Sequence, residues 1–126
     1  MSLSDTFETT TLKWLLTADA VTRPTAWYIG LFTVAPSDAG GGTEVSGGSY
    51  ARKAVAFTVS GNLATNSAAV EFDVATADWG IITSVAVFDA VSGGNMIAYA
   101  TLTASKTIAN GDVLRIPLND LDITMD

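Results

Sequence analysis

Trp27-Tyr28-Ile29-Gly30-Leu31-Phe32-Thr33-Val34 decides the fold. Both alternating faces of this stretch are apolar, the pattern of a strand covered on two sides. Ala35-Pro36-Ser37-Asp38 closes it. Downstream, the period of two continues. Tyr50 to Val59 reads as a second strand, with Val55, Phe57 and Val59 on one face and Arg52, Ala54 and Thr58 on the other. Ala68 to Val74 reads as a third, Val70, Phe72 and Val74 inward, Glu71 and Asp73 outward. After Asp78-Trp79-Gly80 a long strand runs from Ile81 to Asp89. Ser92-Gly93-Gly94-Asn95 turns the chain into a returning strand, Met96 to Thr103, because glycine supplies the positive φ angles of a tight hairpin. Ser60-Gly61-Asn62 and Asn110-Gly111-Asp112 are further turns, and Val113–Leu118 and Leu121–Met125 finish the pattern. Residues 38–49, with Gly40-Gly41-Gly42 and Gly47-Gly48, read as a long mobile loop; no Gly-Lys-Ser/Thr follows, so they match no phosphate cradle.

Upstream of Trp27 the period is helical. Phe7, Thr11, Trp14 and Leu15 fall at i, i+4, i+7 and i+8, and Leu12 and Leu16 widen that face. Asp5 as N-cap with Glu8 three residues on reads as a reciprocal cap. A helix is expected over roughly residues 4–17. Thr9, Thr10 and Thr11 are weak helix formers, so the helix should depend on docking. Arg23-Pro24 blocks its continuation. One helix and about seven short strands without helical crossovers predict antiparallel sheets. The expected fold is mainly β: one domain over residues 1–126, an antiparallel two-sheet β-sandwich with Greek-key or jelly-roll-like connections and an N-terminal α-helix. No internal repeat is visible, which excludes a propeller or solenoid.

Composition narrows the function. The chain has 126 residues, 48% hydrophobic and only 15% charged, so it is not a disordered chain. Six Lys/Arg against thirteen Asp/Glu leave a net charge of −7, which argues against nucleic acid as a partner. No apolar run approaches the ~18 residues needed to span a bilayer, and the opening Met1-Ser2-Leu3-Ser4-Asp5 has no export signal, so a membrane partner is not expected. His and Cys are absent, which excludes disulfides, thiolate chemistry, imidazole bases and the usual zinc sites.

What remains for catalysis is thin. Glu71 and Asp73 point the same way from one strand, but polar-out alternation on an antiparallel sheet does the same. The serines have no imidazole to activate them, and no Ser-x-x-Lys arrangement occurs. Asp120, Asp122 and Asp126 cluster near the C-terminus and Asp78 and Asp89 flank one strand, yet the spacing matches no EF-hand or calcium repeat. No catalytic residue, metal or cofactor is expected. Trp27 and Trp79 sit in apolar stretches and read as core. Tyr50-Ala51-Arg52-Lys53 is the most basic stretch of an acidic chain, and Tyr50 and Arg52 suit an anchor on an acidic partner. Seventeen threonines and nineteen alanines stand where charged residues usually cover a free monomer, a composition nearer that of protein–protein interfaces.

Several segments together resemble a family of small structural proteins of tailed bacteriophages, often labelled phage tail fibre protein. They are Tyr28-Ile29-Gly30-Leu31-Phe32-Thr33 with Ala35-Pro36, Gly47-Gly48-Ser49-Tyr50-Ala51-Arg52, and Asp78-Trp79-Gly80-Ile81-Ile82-Thr83. The last continues through Val87-Phe88-Asp89-Ala90 to Gly93-Gly94-Asn95, with Lys106-Thr107-Ile108 and Gly111-Asp112 beyond. The likeness covers about the whole chain in one register and departs at Arg23-Pro24 and in the threonine-rich helix. It implies a virion component, made in the host cytoplasm, without enzymatic activity. A domain with neither repeats nor heptads is no long shaft by itself. The expectation is an accessory subunit of the decoration or cement kind, bound to major capsid or tail subunits; a tail-fibre or receptor-binding knob for host glycans is the alternative. Leu12, Trp14, Leu15, Tyr50 and Arg52 would supply the partner contacts, with self-association, a trimer about a symmetry axis included.

Overall fold

A computed structural model describes residues 1–125. In chain order the elements are β1 (Ser2–Leu3), α1 (Asp5–Leu16), β2 (Tyr28–Val34), β3 (Thr43–Glu44), β4 (Lys53–Ala54), β5 (Phe57–Ser60) and β6 (Leu63–Asn66). They continue with β7 (Val70–Glu71), β8 (Gly80–Phe88), β9 (Met96–Ile108), β10 (Arg115–Ile116) and β11 (Asp122–Thr124). All pairings are antiparallel. The main sheet runs β1-β9-β8-β2-β3, with β4 also on β2; β11-β6-β5 and β10-β7 form smaller sheets. Together they make a sandwich-like β fold with one N-terminal helix, as the alternation predicts.

The core forms where the inner faces meet. Ile29 and Leu31 of β2 and Ile82, Val85 and Val87 of β8 pack with Val70, Phe72, Leu114, Ile116 and Leu121 from the opposing side. Trp79 is buried in this cluster and Trp27 packs against it. The opposite face of β2 and β8 holds a second cluster, Phe32, Ala86 and Phe88, in which the Phe32 and Phe88 rings stack at 6.0 Å. The double burial of β2 is therefore real. Asn66, fully buried, joins the smaller sheet to the 117–121 turn: its Nδ2 donates to Ala68 O (2.8 Å) and Pro117 O (2.9 Å), and its Oδ1 accepts from Leu121 N at 2.9 Å.

Four details depart from the sequence reading. The helix N-cap is Ser4, whose side chain accepts from Phe7 N, and Asp5 is the first helical residue. Serine wins the cap because Ser4 is also held by β9, its N–H donating to Ile97 O at 2.9 Å. The expected strand over 50–59 breaks at Val55-Ala56, where the chain leaves the main sheet (Val55 N donates to Trp27 O, 2.9 Å) and enters β5. Val59, expected inward, is exposed, although it lines one cleft with Phe57, Val87 and Ile123. Only Val70–Glu71 of the third strand pairs, and Val74, past its end, is exposed. Finally, β9 continues past Thr103 to Ile108 across a bulge: Thr101 pairs Ser84 and Lys106 pairs Ile82, so Leu102-Thr103-Ala104-Ser105 lie opposite Thr83 alone.

Candidate functional site

Helix α1 is tied to the body at one end only. Ser4 Oγ donates to Met96 O at 2.6 Å, and Asp5 N donates to Asp38 O at 2.9 Å. Beyond that anchor no residue of the helix is buried. A helix stripped of core contacts, rich in β-branched threonine, has little intrinsic stability. Thr10 and Thr11 hydroxyls donate back to Thr6 O and Phe7 O, satisfying themselves locally.

With 3.6 residues per turn the helix has two distinct apolar sides. Asp5, Glu8, Leu12, Leu15 and Leu16 fall on one, at i, i+3, i+7, i+10 and i+11. Leu12 is 57% exposed, Leu15 60% and Leu16 76%. Phe7 and Trp14 lie on the other side and, with Val21 and Pro24 of the returning chain, line a cleft of about 500 Å³. A second cleft, sharing Phe7, Arg23 and Pro24 with the first, is lined by Lys13, Asp89 and Asn95. Leu12 and Leu15 thus share a face, while Trp14, grouped with them from sequence, is 67% exposed in the cleft behind.

Tyr50 and Arg52 lie elsewhere and face inward. Glu44 accepts two hydrogen bonds from Arg52, Nε to Oε2 and Nη2 to Oε1, each at 2.8 Å. The other guanidinium nitrogen donates to Ala90 O (2.9 Å) and Gly93 O (2.8 Å), and the group lies 3.5 Å above the Phe88 ring centroid. Only 8% of the Arg52 side chain is exposed. Tyr50 Oη donates to Glu44 Oε2 at 2.7 Å and accepts from Leu31 N at 2.9 Å, closing the edge of β2 between β3 and β4. Tyr50 and Arg52, expected as partner anchors, spend their polar groups on bonds inside the chain. Burial opposes ionisation of Glu44, but the hydrogen bonds from Arg52 and Tyr50 and the charge of Arg52 outweigh it and hold its pKa below the ordinary value. Burial, then the bond to Glu44, push the Tyr50 hydroxyl up.

This network also revises the loop at 38–49. Thr43–Glu44 pairs with β2, and Val45, nearly fully buried, donates its N–H to Leu31 O at 2.9 Å. Gly30 leaves room for the network, since a Cβ there would sit 2.9 Å from Glu44 Oε2. Sequence reading missed Glu44 because glycine-rich surroundings masked it; a lone acid eight residues before the arginine was the available signal. It also missed Leu16, Asp5, Glu8 and Arg23 as parts of the helix site.

Three of the acids weighed for catalysis or cations, Asp73, Asp78 and Asp89, bond within the chain. Asp73 pairs with Lys53 at 2.8 Å. Asp78 Oδ1 accepts from Asn110 N at 2.8 Å and Asp89 Oδ1 from Asn95 N at 2.7 Å, both capping turns. Among the described residues no group of three or more acidic side chains could hold a metal ion, and Asp126 lies outside them. No described helix is long and apolar enough to cross a membrane.

No curated protein matches the chain. The family described as podophage GP4 fiber I protein gp80 matches residues 2–124, taking in the helix, the cleft behind it and the Glu44–Tyr50–Arg52 network. On that match the chain belongs to the podophage GP4 fiber I protein gp80 family, a phage fibre-type family of structural virion proteins.

Proposed function

We propose that this chain is a non-enzymatic accessory subunit that docks its projecting helix against neighbouring tail or capsid subunits and braces their junction, as a decoration or cement protein does. The observation that carries the reading is the helix itself: tied down at Ser4 and Asp5, without one buried residue, and presenting Leu12, Leu15 and Leu16 to solvent. Covering the exposed parts of these leucines would gain roughly 1–2 kcal/mol each. A free monomer gains nothing from that exposure; an assembled subunit does.

The test is incorporation into particles. Leu12→Asp/Leu15→Asp should leave the β body folded, because neither side chain reaches the core. Purified variant and wild-type chains would be compared for occupancy on particles by quantitative mass spectrometry, with location read from labelled-particle imaging. Loss of occupancy with an unchanged near-ultraviolet spectrum is the expected result. Wild-type occupancy by the variant overturns the reading. Few copies, confined to the tail tip and binding cell-surface glycans through another face, would make the chain a receptor-binding knob.

A further inference from the structure

We infer that the straight segment over residues 20–26 is a strand-addition site, which takes an extended, acidic and apolar stretch of a different virion protein into the line that β4 leaves open. This surface lies apart from the leucine stripe, and the inference does not rest on it.

The segment is an overhang of β2. Pairing with β8 ends where Phe88 meets Tyr28, and on the other edge β4 gives way after Val55 N donates to Trp27 O. Residues 19–27 nevertheless run without a turn or bend from Asp19 to the strand. Arg23-Pro24 holds both residues extended, and Val21, Thr22 and Thr25 are β-branched. Among the described residues no backbone group of residues 20–26 finds a partner within the chain. The β4 side of β2 is carried by odd-numbered residues: Trp27 O and Leu31 O accept from Val55 N and Val45 N, and Ile29 pairs with Lys53. Counting back by twos gives that edge to Thr25, Arg23 and Val21. Pro24, which has no N–H, falls on the other edge. The open edge is therefore complete, and what matches its alternating donors and acceptors is another backbone.

Beside this edge lies a cleft of about 330 Å³, walled by Trp27, Phe57, Val59, Val87 and Ile123. The one charged residue on its lining is Arg23, exposed and in no ion pair among the described residues. Asp89, which shares the second cleft with Arg23, is bonded to Asn95 through both carboxylate oxygens. An apolar cleft with one free guanidinium on its rim selects aliphatic side chains next to a carboxylate. The described strands of this chain are engaged in its own sheets, so the added strand comes from another protein.

The probe is an acetylated and amidated octapeptide in which valines alternate with threonines around a central glutamate. Titrated into the isotope-labelled full chain, it should shift the amide NMR signals of Val21, Arg23 and Thr25 with a dissociation constant of about 1 mM or tighter. Val21→Pro/Thr25→Pro removes two donors from the binding edge without breaking a bond inside the chain, and should weaken binding about tenfold or more. Thr22→Pro removes a donor from the opposite edge and should bind like wild type. Arg23→Glu should weaken binding of the glutamate peptide about two- to fivefold and favour its lysine counterpart. N-methylating alternate peptide amides leaves the protein untouched and should abolish binding in one register of methylation. Absence of shifts at residues 21, 23 and 25, equal weakening by Thr22→Pro, or full binding by both methylated registers overturns the inference. Leu12→Asp/Leu15→Asp should bind the peptide like wild type, so this reading and the docking role of the helix fail separately.

Discussion

Replacing Arg52 by alanine removes one side of a largely buried ion pair and strands its partner. Glu44 loses both charge-assisted hydrogen bonds, the Ala90 and Gly93 carbonyls lose their shared donor, and Phe88 loses the cation stacked on its face. Truncating one member of a buried pair costs about 3–5 kcal/mol. A quarter of the Glu44 side chain (25%) stays exposed, so water recovers part of this; the net cost should be about 2–4 kcal/mol. For a chain of this length a kilocalorie moves Tm by roughly 3–5 °C, giving a fall of about 6–20 °C. Thermal unfolding followed by near-ultraviolet circular dichroism, at neutral pH, reads it directly. Arg52→Lys keeps the charge but not the planar fork, and should lose about half as much. The double replacement Glu44→Gln/Arg52→Met should be milder than Arg52→Ala, because it leaves no unpaired charge behind. A fall in Tm below about 3 °C for Arg52→Ala would refute the view that this network fastens the loop to the sheet.

Acid should weaken the same network: Glu44 titrates below its ordinary 4.5 in the folded chain, so its contribution is present above that value and is lost as pH falls through the folded pKa. Glu44→Gln should flatten that part of a Tm–pH profile measured from pH 7 downward. Gly48 has φ +58°, and a Cβ there would lie 2.9 Å from Trp79 Nε1, which donates to Gly48 O. Gly48→Ala should therefore cost about 1–3 kcal/mol in urea unfolding and alter the near-ultraviolet tryptophan signal. Asn66→Ala leaves the Leu121 N–H unpaired in the interior and takes a donor from the Ala68 and Pro117 carbonyls, the latter keeping Asp120 N–H at 3.3 Å; a loss of about 1–3 kcal/mol is expected, read from the urea midpoint.

How far the sequence could be read follows from which residues answer to local rules. The strands of the main sheet were legible because Ile29 and Leu31, and Val85 and Val87, repeat at period two and Gly93-Gly94 mark the hairpin from β8 to β9. The cap at Ser4 and the sheet change at Val55-Ala56 were not, since both are fixed by contacts with Ile97 and Trp27, far along the chain. Leu12 and Leu15 as exposed apolar residues could be found by helical spacing. That Trp14 faces away from Leu12 and Leu16 follows from 100° per residue; that its side forms a cleft depends on the 21–24 segment turning back beside the helix, which no periodicity encodes. Tyr50 and Arg52 looked like surface anchors because composition records their charge and not their partner. Glu44 reaches them only because Thr43–Glu44 pairs with β2.

The attachment of the helix through β9 orders events in time. Ser2 pairs with Tyr99, and Ser4 is held by Met96 and Ile97. On a ribosome the helix is made before β9, and its clasp closes only after Met96, 92 residues beyond Ser4, has followed. Until then the helical segment is too short to persist alone. On the docking role proposed above, the adhesive face is ordered only once the scaffold beneath it is finished, so folding precedes attachment.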